Sequence, residues 1–413
     1  KDPQLVEAFL TKIYANAVFE PNEEGGIVKQ DRLTDAVVGG EYTLMAPWQN
    51  GIKASYNIPT ASGAHSRLTR WHYGNIRSCN EIIEILNNAT FDAATVKIQI
   101  AEAKFLRAWM YLDMAKRYGG MPLEITPKSV DAPAEELMIP RNTLKETYDQ
   151  IISDLDAAIA DLPGVVIYGK ASKWAAFALK SRAALYAARI AKYHPQSSNG
   201  LTSIPAGDAG AYYAKALQAA KAVIDGGKHP LYKGGANMVD RFGEIFYKDQ
   251  NSEIIFAEQY NLSLGKTHTW SGYAMPDGFK AGWGSNMHMY LASDARFEHA
   301  DGSPGDKHHA KFNNKVWFDI EEVIYTKDPR YLATVFTPEE VFQGREVWFH
   351  NTSVGSGTFK GRAGNVVPNR APPRNRNRGG RLVQKRIDPQ YEFPVFGTDE
   401  TPYIVLRTGE MYL

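Results

Sequence analysis

Two segments of this 413-residue chain carry large aromatic side chains where no helical or strand period accounts for them. The first holds Tyr42, Trp48 and Tyr56, with Asn50 close to the tryptophan in the run Pro47-Trp48-Gln49-Asn50. The second holds Trp270, Tyr273, Trp283 and Tyr290, with Asp277 and Asn286 as hydrogen-bonding neighbours. A flat aromatic face packs against the apolar surface of a ligand, and polar side chains at its rim satisfy the ligand's polar groups. These residues form the candidate ligand-binding set. The competing reading is that they cement a region poor in secondary structure, because large aromatics are usually substantially buried. Trp71, Trp109 and Trp174 fall in helical patterns and read as core. Trp317 and Trp348 fall in apolar runs and rank lower as ligand contacts.

Charge offers a second kind of chemistry. Residues 360–386 hold nine Lys or Arg residues, among them Arg370, Arg374, Arg376 and Arg378, and no Asp or Glu. A run of this kind is either a solvated loop or a contact for a polyanion or an acidic partner. Arginine suits carboxylate and sulfate because its planar fork binds them bidentately. Nucleic acid is not expected, since no aromatic interleaves the run for base stacking. His299, Asp301, Asp306, His308 and His309 cluster around Gly-Ser-Pro-Gly. Such a cluster could hold a divalent metal, but the spacing matches neither a zinc-protease helix nor a calcium loop, so a solvated loop is the preferred reading and no cofactor is expected. Gly265-Lys266-Thr267 ends like a phosphate-binding loop, but Tyr260 stands where the first glycine is required. No Gly-x-Ser-x-Gly elbow occurs. Glu321-Glu322 is an acidic pair whose spatial partners the sequence does not define.

The elements that must position these residues are mostly helices. Leu5, Val6, Phe9, Leu10, Ile13 and Tyr14 predict a helix over 3–18. The period disappears over 19–66 and returns from Trp71 to Leu86. Residues 95–118 leave only a narrow polar stripe, which predicts a buried helix ending at Gly119-Gly120-Met121-Pro122. Thr143 and Glu146 form a capping box for a helix that ends before Pro163-Gly164. Alanine-rich helices follow at 171–193 and 209–225. Their spacing approaches the period of tetratricopeptide repeats, although the repeat consensus is poorly matched. Ile254, Ile255 and Phe256 predict a short strand, and 261–315 and 350–390 read as irregular.

Composition sets the outer bounds. Hydrophobic residues make up 44% and charged residues 23%, the balance of a folded chain. Net charge is +1, which argues against a generic polyanion-binding surface. Cys79 is the single cysteine, so an internal disulfide and a cysteine-based zinc cluster are both excluded. No apolar run is long enough to cross a bilayer as a helix.

Residues 101–123 (Ala-Glu-Ala-Lys-Phe-Leu-Arg-Ala-Trp-Met-Tyr-Leu-Asp-Met-Ala-Lys-Arg-Tyr-Gly-Gly-Met-Pro-Leu) closely resemble the hallmark helix of the SusD/RagB family of Bacteroidetes surface lipoproteins. Trp71 to Asn80, Arg141 to Pro163, Gly169 to Tyr186 and Asp328-Pro329-Arg330 resemble other family segments, in the same order. Residues 403–413 look like the start of a late family helix. The resemblance implies a mainly α fold: a tetratricopeptide-like helical repeat scaffold with a loop-rich irregular subdomain carrying a few short strands. It implies a scaffold over 1–260 with a binding loop near 40–66, a ligand-binding subdomain over 261–400, and the start of a truncated C-terminal helix over 401–413. It further implies a non-catalytic, cell-surface glycan-binding protein. Such a protein delivers oligosaccharide to a SusC-like TonB-dependent transporter and is held at the outer membrane by an N-terminal lipid anchor absent from this chain. Uptake of peptide, a helical glycoside hydrolase and a repeat adaptor are the alternatives.

Overall fold

The helices form where apolar spacing and capping chemistry coincide. In a computed structural model, residues 2–17, 19, 37–39, 70–129, 131–276, 279, 287–289, 291–308, 321–337, 340–347, 359–360, 366–367, 382–391, 395 and 397–413 are described. Helix α1 (Pro3–Asn16) starts with the Asp2 carboxylate accepting from Gln4 N, and with proline in its first turn. Proline costs nothing there, because that position has no intrahelical acceptor for an N–H. Helix α2 spans Tyr73–Asn87 and α3 spans Ala93–Tyr118, with Asp92 capping α3 through Thr95 N. Helix α4 (Leu144–Asp161) carries the full capping box: Thr143 accepts from Glu146 N while the Glu146 carboxylate accepts from Thr143 N. Helices α5 (Lys173–Tyr193) and α6 (Ala209–Gly226) follow. Sequence periodicity did not predict α7 (Met238–Tyr247), which Asn237 caps through Asp240 N.

Consecutive helices pack as antiparallel neighbours: α2 on α3, α3 on α4, α4 on α5, and α5 on α6. Small residues make the α5 contacts close. Ala175, Ala176, Ala178, Ala183, Ala184, Ala187 and Ala188 are all buried in one apolar core that runs from Val6 to Met411. A polar bolt crosses this core. Arg107 on α3 holds Asp154 on α4 bidentately, at 2.8 Å and 2.6 Å, and donates to Asn80 on α2 at 2.7 Å. A buried ion pair is tolerable only when its remaining hydrogen bonds are also made. A fourth bond, from Arg107 to Ile125 O at 3.0 Å, completes the set. Elsewhere on α3, buried Glu102 leaves Oε2 without a hydrogen-bond partner. Burial pushes its carboxyl up to about 7, with Glu7 adding to the rise and Lys170 opposing it.

The C-terminal residues differ from the helix expected over 401–413. Tyr403–Arg407 is a strand, β2, and only then does a short helix, Thr408–Met411, begin. The physical reason is a partner. Strand β1 (Ile254–Glu258) pairs antiparallel with β2, and Ile255, Phe256, Val405 and Leu406 sink into the helical core. Arg182 of α5 clamps the returning chain by donating to Val405 O and to Glu410. A second apolar cluster lies around Trp270, Phe336, Phe342 and Leu382, and a third around Tyr331, Val323 and Ile324. Elements there are short, among them Trp270–Ala274, Pro329–Leu332 and a strand pair of Val37–Gly39 with Met287–Met289.

Candidate functional site

Among the described residues, the aromatic side chain most open to solvent is one that helical periodicity assigned to the core. Trp71 is 65% exposed. The error has a local cause: α2 begins at Tyr73 with His72 as its N-cap, so Trp71 stands before the helix and its period does not apply. The step of five from Trp71 to Ile76 already breaks the three-and-four rhythm of a buried stripe.

Two tyrosines hold the Trp71 ring. Tyr73 lies 5.1 Å away, tilted at 55°, and Tyr118 lies 5.5 Å away, edge-on at 76°. Both arrangements fall within the favourable range for aromatic pairs. Each tyrosine is itself fixed. Tyr73 donates its hydroxyl to Pro122 O at 2.7 Å and packs edge-on against Tyr111. Burial pushes the Tyr73 hydroxyl well above its ordinary value, with Glu124 adding to the rise, so it stays a donor. The Tyr118 hydroxyl accepts from Arg70 N at 2.9 Å, tying down the residue before the tryptophan. Arg141 donates to Gly120 O at 2.8 Å and also to Tyr118 O.

Below the platform, His72 contacts Asp113 at 3.1 Å, and Arg117 and Lys116 also reach Asp113. Burial works against the charge on Asp113, but the hydrogen bond from His72 and the charges of Arg117 and Lys116 hold its carboxyl below the usual range. The turn that leads the chain out of α3, just after Tyr118, depends on two glycines. A Cβ on Gly119, whose φ is +78°, would sit 2.3 Å from Leu201 O, and one on Gly120 would sit 2.2 Å from Asn142 O. The result is a solvent-facing indole held between two fixed tyrosines. Such a surface can stack on a flat ligand.

The sequence-derived candidates fare differently. Tyr42, Trp48, Asn50, Tyr56, Asp277, Trp283, Asn286 and Tyr290 lie outside the described residues, as do Trp317, Trp348, His309 and the arginines Arg370, Arg374, Arg376 and Arg378. Tyr273 lies in the short helix Trp270–Ala274. Trp270 is 6% exposed and donates its indole N–H to Lys385 O at 2.9 Å, so it fits the packing reading rather than a stacking face. Trp109 is core, as its period predicts, and Trp174 is partly buried against Gly226. At the end of the basic run, Arg386 is buried and donates to Thr401 O and Pro402 O, which makes it a structural residue. Asp301 is exposed, but His299 and His308 are buried, so the loop is not solvated at its histidines.

Ser271, His268 and Asp399 have the residue types of a nucleophilic hydrolase and lie in one buried network. The histidine is already committed. Its Nδ1 accepts from Trp270 N at 3.2 Å, and its Nε2 faces Thr401 O at 2.7 Å and the Arg386 guanidinium at 3.1 Å. Both ring nitrogens are thus engaged by groups other than the Ser271 hydroxyl.

Comparison with known proteins agrees with this fold. The family described as "Starch-binding associating with outer membrane" matches residues 4–185, and the one described as "SusD family" matches residues 252–413. A SusD-like protein of Bacteroides ovatus is 26% identical over 179 residues, which span 42% of this chain and 30% of that protein. A SusD-like protein of Bacteroides fragilis superposes with a TM-score of 0.72 at 24% identity, covering 100% of this chain and 73% of its own. A SusD-like carbohydrate-binding protein of the same species gives a TM-score of 0.70 at 18% identity, covering 99% and 72%. The two family matches follow one another along the chain and meet the fold in both its halves: the chain belongs to the SusD/RagB family.

Proposed function

We propose that this protein binds glycan at its surface without transforming it, and that Trp71 is a stacking residue of the site. The observation that carries this reading is the open face of Trp71, held by Tyr73 and Tyr118. An exposed indole held in place by two tyrosines presents a fixed apolar face on which a ligand ring can stack. A sugar ring presents C–H groups to such a face and hydroxyls to its rim. Family membership and a carbohydrate-binding structural neighbour support the same ligand class. The non-catalytic part of this reading rests on family membership. Loop aromatics Tyr42, Trp48, Tyr56, Trp283 and Tyr290 extend the site in this proposal, with Asn50 and Asn286 at its rim. The protein then passes its cargo to a SusC-like TonB-dependent transporter while lipid-anchored on the outer membrane. No described helix is long and apolar enough to cross a membrane.

Affinity for short sugars is on the order of high micromolar to millimolar, since a shallow site must displace well-bound water. The test is a binding screen against neutral polysaccharides, acidic polysaccharides and peptides, with product release assayed in the same samples. Trp71→Ala is expected to weaken glycan binding about tenfold while leaving the melting temperature unchanged, because an exposed ring adds little to folding. Unchanged affinity removes Trp71 from the site. Release of reducing ends overturns the non-catalytic reading, and binding of peptides alone replaces the ligand class.

A further inference from the structure

We propose that His299 and His308 form a binding site for a divalent transition metal of the zinc class, with His299 Nε2 as its primary ligand. The argument begins with one hydroxyl. Thr326 Oγ1 donates its proton to Glu322 O at 2.7 Å. A hydroxyl has a single proton, so in its 2.7 Å contact with His299 Nδ1 the same oxygen is the acceptor. Nδ1 therefore carries the ring proton, and Nε2 of the neutral imidazole presents a bare lone pair.

That nitrogen is enclosed and unused. His299 is 3% exposed, and its Nε2 has no hydrogen-bond partner. A buried acceptor left without a donor costs stability, so such atoms in native proteins call for an occupant. The arrangement is also the one that metal-binding histidines use: one nitrogen oriented by a hydrogen bond to the protein, the other free for the ion.

The second imidazole stands at a suitable distance. The rings of His299 and His308 are 5.3 Å apart between centroids, at 88°. Two imidazoles sharing one tetrahedral zinc at a bond length of about 2.0–2.1 Å place their ring centres roughly 5 Å apart. His308 is 8% exposed, and Glu322 Oε1 lies 3.8 Å from its Nδ1, close enough to orient the ring or to enter the coordination sphere. The neighbouring cation, Lys327, is already engaged by Asp294 and by the carbonyls of Asp294, Phe297 and Gly305. Among the described residues no three His, Cys, Asp or Glu side chains converge as a finished metal site. Two protein nitrogens, with water filling the other positions, define the proposal. An imidazole pair selects zinc, nickel or copper over calcium and magnesium, which prefer oxygen. The site is separate from the Trp71 platform and does not depend on the glycan reading.

The experiment is calorimetric titration of the tag-free chain with zinc sulfate and nickel chloride, with calcium chloride as the control. One equivalent of zinc and of nickel is expected to bind saturably, and calcium is not. His299→Gln and His308→Gln are each expected to abolish saturable binding, and Thr326→Val to weaken it roughly 10–100-fold by releasing the ring orientation. X-ray absorption of the zinc-loaded wild-type chain is expected to show scattering from two imidazoles, a readout that holds even if a variant fails to fold. No saturable zinc binding, equal binding by both glutamine variants, or a spectrum with fewer than two imidazoles overturns the site.

Discussion

Glu102 and Trp71 show how far a side chain can depart from what its type suggests. Glu102 lies buried on a helix whose length reads as apolar, with one carboxylate oxygen unpartnered. Its carboxyl is raised by burial from 4.5 to about 7, so the folded state holds a proton that the unfolded chain has released. The stability this contributes is full below about pH 4.5 and is lost as the pH rises through about 7. Glu102→Gln fixes the neutral form. It is expected to raise stability at about pH 8 by on the order of 1–3 kcal/mol, seen as a higher melting temperature, and to change little at about pH 5. Thermal melts of both proteins across that range check it; a gain of equal size at both ends would show that charge is not the cause. None of this was legible in the sequence, because desolvation depends on what α1 and Lys170 bring to Glu102. The position of Trp71 was legible in part: its spacing from Ile76 breaks the stripe, but only the helix start at Tyr73 turns the broken stripe into an exposed face.

At the scale of elements, the sequence was most informative where capping chemistry and apolar period agreed. The α4 capping box, the glycine stop after α3 and the alanine faces of α5 all appear where residue type alone puts them. Thr143→Ala should cost about 1 kcal/mol, the usual worth of a lost cap, measured by denaturant midpoint at unchanged m-value. The Arg107–Asp154 bolt makes a stronger demand. Asp154→Ala leaves a buried guanidinium facing only neutral partners, and a loss of about 3–5 kcal/mol is expected by chemical denaturation. A loss below 1 kcal/mol would mean that water reaches Arg107. Helix α7 and strand β2 were missed for a common reason. Each is short, and each is stabilised by contacts with distant chain, α7 against the Pro329–Leu332 helix and β2 against β1. Local propensity carries no trace of such partners.

At the scale of the whole molecule, one core serves residues far apart in sequence. Leu406 is fully buried in the same core as Val6, 400 positions earlier in the chain. Leu406→Ala is expected to destabilise the entire helical scaffold by about 2–5 kcal/mol, read as a single shifted transition in helical circular dichroism. Two separated transitions would show that the sheet is an appendage. For the loop aromatics Tyr42, Trp48, Tyr56, Trp283 and Tyr290 no sequence period indicates which face is open, which is why residue type alone made them candidates.

The pairing of Glu258 with Tyr403 also sets an order of events. Helical hairpins close over short stretches of chain and form early, whereas this sheet must wait for its second strand. Until then β1 offers bare N–H and C=O groups to any passing strand. During synthesis, therefore, the nascent chain carries a sticky edge until residues 403–407 arrive to seal it. Anything that delays their pairing, such as a stalled ribosome or a substitution in Tyr403–Arg407, should appear first as aggregation and only second as lost binding.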